Sequence, residues 1–206
     1  MNSGKNGIKD PNVVGIIKPR RMAWMVLCLT VICASVALIL SLVNVLTRDK
    51  IAENLKMAEE TAIGKVWQEV AGDGELAYSS LDGAPESVSA VYKVTVSGEL
   101  VGFCVSVSPS GFGGNIDMIV GVDPEGRVVG VEITALSETP GLGSKVGEAS
   151  FLERYRGKSG TIVLGVDVDA ISGATISSRS VTDGVNRALL ALGEMELIER
   201  GETSDG

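Results

Sequence analysis

The sequence predicts an α+β protein in which a single N-terminal transmembrane helix precedes a domain built from an antiparallel sheet flanked by helices. Three observations predict this fold class. Residues 22–46 carry no charged side chain, apolar positions alternate with a period of two over much of residues 91–133, and apolar residues recur at helical spacing after residue 178. A chain of 206 residues is long enough for one membrane span and one domain with its own core.

The uncharged run over residues 22–46 is predicted to be a retained membrane anchor. As a helix it would span about 38 Å, against a hydrocarbon core of about 30 Å. It is too long for the apolar region of a signal peptide, and no Ala-x-Ala site follows it. Residues 1–21 are basic, whereas the whole chain has a net charge of −8. The positive-inside rule therefore places the N-terminus in the cytoplasm and the following domain outside the cell membrane.

Composition excludes several classes of function. The acidic balance argues against a nucleic-acid partner, because phosphate would be repelled. The chain has no histidine, which removes imidazole metal sites and Ser-His or Cys-His catalysis, and no metal site is predicted. Cys28 and Cys33 lie in the apolar run, about 140° apart around a helix, and do not pair. Cys104 is alone in the outer domain and is expected to serve packing.

The rest of the chain divides by pattern. Residues 47–72 show apolar positions three or four apart and predict an amphipathic helix that continues the anchor. Residues 73–89 are polar and predict a loop or weak linker, residues 90–195 the main domain, and residues 196–206 a C-terminal tail.

Within the main domain, four alternating runs predict an antiparallel meander with one face for a core; its last strand has Val129, Val131 and Ile133 on one side. A helix over 145–155 and a short strand over 161–166 are expected to follow.

The most informative stretch is DAISGAT, residues 169–175. It puts a threonine hydroxyl on a small-residue turn where an amphipathic helix begins. Several residues are candidate helix caps: Ser172, Thr175, Ser177 and Ser178, with Ser180 and Asp183 as a capping box displaced inward. Free amides and the positive end of a helix dipole make such a turn receptive to phosphate, and Gly173 and Ala174 leave room for a bulky group. Taken alone, the motif favours an ordinary strand-turn-helix junction, because Ser, Gly and Thr are the usual capping residues.

Two further loops stand out. GFGG at residues 111–114 suits close approach of the backbone to a flat or phosphorylated ligand, although a flexible hairpin loop explains it too. ETPGLG at residues 138–143 contains a type II turn signature and leads into a helix that Ser144 could cap. A plain connection from strand to helix also accounts for this loop.

Together, these three motifs give the chain a resemblance to a known family. It resembles the FMN-binding subunits of two membrane complexes, the G subunit of the Rnf complex and the C subunit of the Na⁺-translocating NADH:quinone reductase. GFGG, ETPGLG and DAISGAT occur in the family's order and roughly its spacing, behind a single N-terminal membrane helix. Many members have a histidine just before ETPGLG, where this chain has Leu136 and Ser137.

The resemblance implies that FMN is attached through its phosphate to the hydroxyl of Thr175. A flavin transferase using FAD and Mg²⁺ would install it and release AMP, because a threonine hydroxyl is a poor nucleophile by itself. Asp169 would help present the turn to that enzyme. The turn would enter its active site because its residues are small: Ser172, Gly173 and Ala174. The attached phosphate would lie over the amides at the helix start, up to Ser177 and Ser178.

By the same resemblance, residues of the other two motifs are expected at the cofactor. Those expected against the flavin ring or ribityl chain are Glu138, Thr139, Gly141 and Leu142. Lys145 would offset phosphate charge, and Gly113 and Gly114 would cover another edge.

The resemblance implies an electron-carrying subunit of a membrane complex that couples ferredoxin:NAD⁺ electron transfer to Na⁺ or H⁺ translocation. The cofactor would supply the redox chemistry and the protein its position and surroundings. Its partners would be other membrane and redox subunits, the flavin transferase and the lipid bilayer. Alternatives are the C subunit of the quinone reductase, a membrane-anchored flavin redox sensor, and a non-catalytic binding module.

Overall fold

The computed structural model describes residues 19–198. Most of the expected cytoplasmic segment 1–21, and the C-terminal tail from residue 199, lie outside the described residues. The described chain forms two compact units that divide between Ala52 and Glu53. The α+β fold predicted from the sequence is confirmed, with an N-terminal apolar helix and a five-stranded antiparallel sheet with helices.

The first helix, α1, spans Pro19–Ala71. By length and composition, its part from Ala23 onward is suited to crossing a membrane. Polar side chains in its apolar part bond back to the helix. Thr30 Oγ1 donates to the carbonyl of Val26 at 2.9 Å, and Ser35 Oγ donates to that of Ile32 at 2.8 Å. These hydroxyls therefore need no partner from outside the helix, as a lipid environment requires.

The sheet is a meander in the order β1-β2-β3-β4-β5, with every neighbouring pair antiparallel. Its strands are β1 (Leu76–Leu81), β2 (Ala90–Val96), β3 (Glu99–Val107), β4 (Ile116–Val122) and β5 (Val128–Leu136). The expectation of a loop over 73–89 is wrong where β1 lies. This edge strand has four exposed residues between two partly buried leucines, so it carries no alternating apolar pattern.

Both faces of the sheet are covered, and the expectation of one core face is wrong. The main core holds Val105 of β3 and Met118 of β4, in one cluster with Val185 of the last helix. The opposite face holds a second cluster in which Cys104 and Ile119 pack with α1 residues from the second unit. Those α1 residues are Ala62, Ile63, Val66 and Trp67.

A bulge changes the faces of β5. Val131 lies opposite Val120, but two positions further along β4, Val122 lies opposite Val128, so one extra residue is accommodated. Val129 consequently packs with the second cluster, whereas Val131 and Ile133 pack with the main core. The predicted alternation of these three residues on one face is interrupted there.

The connection after β5 is not the continuous helix expected over 145–155. It consists of a 3-10 helix (Gly143–Gly147), the single-turn helix α2 (Ala149–Leu152) and a second 3-10 helix (Glu153–Tyr155). Glu148 separates the first two because its backbone is extended, with φ −73° and ψ 138°.

The strand expected over 161–166 is also wrong. Both backbone groups of Ile162 bond to the side chain of Asn186, and Leu164 forms an isolated bridge with Val168. The last helix, α3, runs over Thr175–Glu194 and buries one side against the main core.

Candidate functional site

Thr175 is the first residue of α3, and its side chain is exposed. The residue before it, Ala174, is the buried N-cap and makes no side-chain capping bond. By position, the amides of residues 175–177 have no carbonyl one turn earlier within the helix to bond. The hydroxyl therefore stands at a helix start with free amides, as the sequence predicts for the DAISGAT motif.

Ser178, one of the predicted caps, forms other bonds. Ser178 Oγ accepts a hydrogen bond from the amide of Ile171 at 3.1 Å, and the Ser178 amide bonds to Ala174 O at 2.8 Å. Ser177 and Ser178 are buried, and Ser172 is exposed in the turn. A role for the Ser178 amide in holding phosphate is therefore wrong in this structure, because that amide starts the helical bonding pattern.

The inward capping box of Ser180 and Asp183 is also wrong. Both residues lie inside α3, and Ser180 Oγ donates to Ser110 O at 2.7 Å and to Ile176 O at 3.0 Å. The first of these bonds attaches the second turn of α3 to the residue just before GFGG.

The DAISGAT turn lies directly against ETPGLG. Gly173 has φ +81°, a left-handed conformation that favours glycine. A Cβ at this position would lie 3.0 Å from Leu142 Cδ1. Leu142 itself remains 47% exposed, so its side chain borders the turn and still faces solvent.

ETPGLG in turn contacts GFGG through one carboxylate. Glu138 Oε1 accepts a hydrogen bond from the Phe112 amide at 2.7 Å, and Oε2 accepts one from the Gly113 amide at 3.2 Å. Together with the contact of Gly173 with Leu142 and the bond from Ser180 to Ser110, these bonds bring all three sequence motifs into one site.

The remaining predicted site residues lie on the same loops. Gly141 has φ +78° and donates its amide to Ser144 Oγ at 2.9 Å, so Ser144 supports the turn and does not cap a helix. The carbonyl of Thr139 accepts bonds from the amides of Leu142 and Ser144. Lys145 is exposed in the 3-10 helix, and Gly114 is partly buried beside Ser137.

The structure adds residues that the sequence did not indicate. Arg154 donates from its guanidinium to Asp169 O at 3.1 Å and lies over the Phe151 ring, 5.6 Å from its centroid. Arg154 thus holds the first residue of DAISGAT through that residue's backbone carbonyl, and Asp169 remains exposed. A bond to a carbonyl fifteen residues along the chain leaves no local signal in the sequence pattern.

Apolar side chains face solvent on GFGG and ETPGLG and directly after DAISGAT. Phe112 is 70% exposed and Ile176, next to Thr175, is 56% exposed; Leu142 is the third. Exposed apolar groups beside a hydroxyl at a helix start suit a ligand with a phosphate at one end and a flat apolar ring at the other.

Comparisons with known proteins identify the family of this chain. The family model described as FMN-binding domain matches residues 111–190, which include all three motifs. The G subunit of the ion-translocating oxidoreductase complex of Stutzerimonas stutzeri is 30% identical over 82% of this chain and 80% of its own length. This chain belongs to the family of G subunits of ion-translocating oxidoreductase complexes. The resemblance inferred from the three motifs is confirmed.

Another G subunit is matched over less of its length. The G subunit of the Na(+)-translocating ferredoxin:NAD(+) oxidoreductase complex of Acetobacterium woodii is 34% identical over 51% of this chain. The chain spans little more than half of that relative, 56%. Among solved structures, Shewanella oneidensis NqrC matches 73% of this chain and 97% of its own at 22% identity, with a TM-score of 0.48.

Proposed function

We propose that this chain carries electrons on an FMN attached to Thr175, in a membrane complex that couples ferredoxin:NAD⁺ electron transfer to Na⁺ or H⁺ translocation. Thr175 carries the proposal: it is exposed at the first residue of α3, beside the exposed Ile176 and two residues after Gly173, which lies against Leu142. The wider activity is supported by relatives that are G subunits of Na⁺- and proton-translocating ferredoxin:NAD(+) oxidoreductase complexes.

The residues present fit a phosphate-linked flavin. The amides of residues 175–177 offer donors to a phosphate, and the positive end of the α3 dipole favours its charge. Leu142 and Phe112 offer exposed apolar surface of the kind that a flavin ring covers. FMN supplies electron transfer when bound, and these residues would orient it and exclude water from part of its surface.

Attachment needs a second enzyme. Thr175 Oγ1 would form a bond to the FMN phosphorus of FAD while the diphosphate P–O bond breaks and AMP leaves. The hydroxyl proton would pass to a base of the flavin transferase, whose Mg²⁺ would offset the phosphate charge. The nearby Glu138 carboxylate is occupied by two amides, which supports an external base. Asp169, exposed six residues before Thr175, is available for recognition by that enzyme.

The proposed topology is single-pass in the cell membrane. The basic segment 1–21 supports a cytoplasmic N-terminus and an extracytoplasmic FMN domain. The other partners would be membrane and redox subunits of the same complex and the surrounding lipid. A reporter enzyme that folds only outside the cytoplasm, fused after residue 198, should be active. An inactive fusion that is nevertheless expressed would contradict this orientation.

Covalent attachment is tested with the full-length chain co-expressed with a flavin transferase. After denaturing electrophoresis, the wild-type band should fluoresce under ultraviolet light. Thr175→Ala should abolish the fluorescence, and Thr175→Ser should retain it because a hydroxyl remains. The matched control is Thr161→Ala, which removes another exposed threonine hydroxyl. A fluorescent band in Thr175→Ala would contradict Thr175 as the attachment site.

A further inference from the structure

Glu138 occupies an unexpected position for a residue of a cofactor site. Both of its carboxylate oxygens face inward to the chain and accept the amides of Phe112 and Gly113, at 2.7 Å and 3.2 Å. Hydrogen bonds to an ionised carboxylate are stronger than those between neutral groups. The GFGG loop is therefore held from ETPGLG, which lies more than twenty residues further along the chain.

The glycines of both motifs make room for this carboxylate. A Cβ at Gly143 would lie 2.5 Å from Glu138 Oε2, and all three of its nearest atoms belong to the Glu138 side chain. A Cβ at Gly111 would clash with Glu138 Oε1. The sequence alone suggests that such glycines admit a ligand, but in the structure they admit Glu138.

The loop is fixed at its other end as well. Ser110 O accepts the bond from Ser180 Oγ of α3, and Pro109 lies beside Gly184 of the same helix. The segment leading to Phe112 is thus tied to α3 on one side and to ETPGLG on the other. Two amides that could have bound phosphate are already occupied by a negative group, which disfavours a phosphate there.

We propose that Glu138 is a positioning residue that holds the GFGG loop and the exposed Phe112 ring at the edge of the flavin site. Glu138 acts through the loop and not as a ligand to the cofactor. The inference rests on the proposed function for the identity of that cofactor. The loop arrangement itself requires no cofactor, because every contact that carries it lies within the chain.

The loop is tested first in the full-length protein made without flavin transferase. Hydrogen exchange of the Phe112 and Gly113 amides should be about tenfold faster or more in Glu138→Ala, because each loses a charged acceptor. Glu138→Gln should be intermediate, since it keeps one acceptor oxygen. The control is Glu148→Gln, which removes an exposed carboxylate that makes no capping bond. Unchanged exchange in Glu138→Ala would overturn the proposal.

Gly143→Ala provides an independent test of the same contact. A methyl group at position 143 should displace the carboxylate and speed exchange of the same two amides. In the Glu138→Ala background it should add little, because the carboxylate that it displaces is gone and only Cβ, at 3.1 Å, remains. Equal and additive effects in the two backgrounds would show that Gly143 does not make room for Glu138.

The effect of Glu138 on the bound cofactor is measured in protein co-expressed with the flavin transferase. The visible circular dichroism of the bound flavin should fall in Glu138→Ala and recover substantially in Glu138→Gln, while Glu148→Gln should match wild type. Dichroism that is unchanged in Glu138→Ala would overturn the positioning role even if the loop exchanges faster. A wild-type protein without a fluorescent band would instead contradict the proposed function. The exchange experiments would still test whether Glu138 holds the GFGG loop.

Discussion

Trp67 of α1 donates its indole N–H to the sulfur of Cys104 on β3, at 3.0 Å, and both side chains are almost fully buried. This contact lies on the sheet face opposite α3. It completes the second cluster, in which the last part of α1 covers Cys104 and Ile119. The lone cysteine of the main domain thus serves packing, as expected from the sequence, and it also accepts a hydrogen bond.

The Cys104 thiol should resist ionisation and make the domain sensitive to alkali. Burial raises the pKa of Cys104 to about 12, and the bond from Trp67 offsets part of that rise. The unfolded chain loses the thiol proton near its ordinary pKa of about 8.5, whereas the folded chain keeps it. The free energy of unfolding should therefore be fully retained below about pH 8.5 and fall as pH rises toward 12.

Denaturant titrations of the full chain in detergent at several pH values test this. Between pH 9 and 10, Cys104→Ser should show a shallower fall in the free energy of unfolding than wild type, whatever its stability at pH 7. Identical slopes would contradict a buried, neutral thiol. In a variant lacking Cys28 and Cys33, a maleimide should label Cys104 only after unfolding.

The stability of the protein should be sensitive to the addition of a single methyl group at Gly121 on β4. A Cβ there would clash with Val66 Cγ1 and lie 3.4 Å from Trp67 Nε1. Gly121→Ala should lower the free energy of unfolding by about 1–3 kcal/mol through overpacking. Adding Val66→Ala should recover part of that loss, giving a coupling of about 0.5 kcal/mol or more in a double-mutant cycle.

Gly64 is the matched control for this cycle. It lies in α1, and apart from its chain neighbours and its own helix backbone no atom lies within 4 Å of an added Cβ. Gly64→Ala should therefore stabilise the protein by about 0.5–1 kcal/mol through helix propensity. Equal stability of Gly121→Ala and Gly64→Ala in chemical denaturation would contradict the packing of α1 on β4.

The strands that the sequence predicted are those with one side in the main core. Val105, Met118 and Val120 alternate with residues of the opposite face, and this pattern is visible locally. Strand β1 (Leu76–Leu81) was missed because its residues are mostly exposed and its strand form depends on pairing with β2. Cover by α1 on the second face was missed too, since no local pattern says which surface a helix meets.

For the candidate site, the motifs could be found from the sequence, but the contacts between them could not. Gly173 and Leu142 come together only when the turn before α3 meets the loop after β5. The bonds of Glu138 to the GFGG amides reverse the simplest interpretation of those glycines, because the space they leave is filled by the chain itself. Hydrogen bonds between residues far apart in the chain cannot be predicted from the spacing of residues in the sequence.

Removal of either of two buried hydroxyls in the main core should lower the free energy of unfolding, but by different amounts. The Tyr155 hydroxyl and Thr182 Oγ1 are 2.8 Å apart, and Thr182 also donates to Ser178 O at 3.0 Å. Tyr155→Phe leaves Thr182 with its carbonyl partner and should cost about 1 kcal/mol or less of the free energy of unfolding. Thr182→Val leaves the Tyr155 hydroxyl buried without that partner and should cost about 1–3 kcal/mol. Denaturant titration that ranked the two variants in the opposite order would contradict this bonding.

Asn186 should control the segment that leads into DAISGAT. Its side chain accepts the Ile162 amide at 2.9 Å and donates to the Ile162 carbonyl at 2.8 Å, which is the pairing that a neighbouring strand would otherwise provide. Asn186→Ala leaves both backbone groups without this partner. The free energy of unfolding should fall by about 2–4 kcal/mol, the combined effect of two unsatisfied groups in a partly buried place.

Asn186→Asp separates the two bonds. The carboxylate still accepts the Ile162 amide but repels the Ile162 carbonyl, so its effect should be smaller than that of Asn186→Ala yet still destabilising. Hydrogen exchange should quicken over residues 161–168 in both variants, while the amides of β3 and β4 keep their protection relative to global unfolding. If exchange quickened equally across the sheet, Asn186 would be a general core residue. Local quickening would identify it as the side chain that holds the entry to the Thr175 turn.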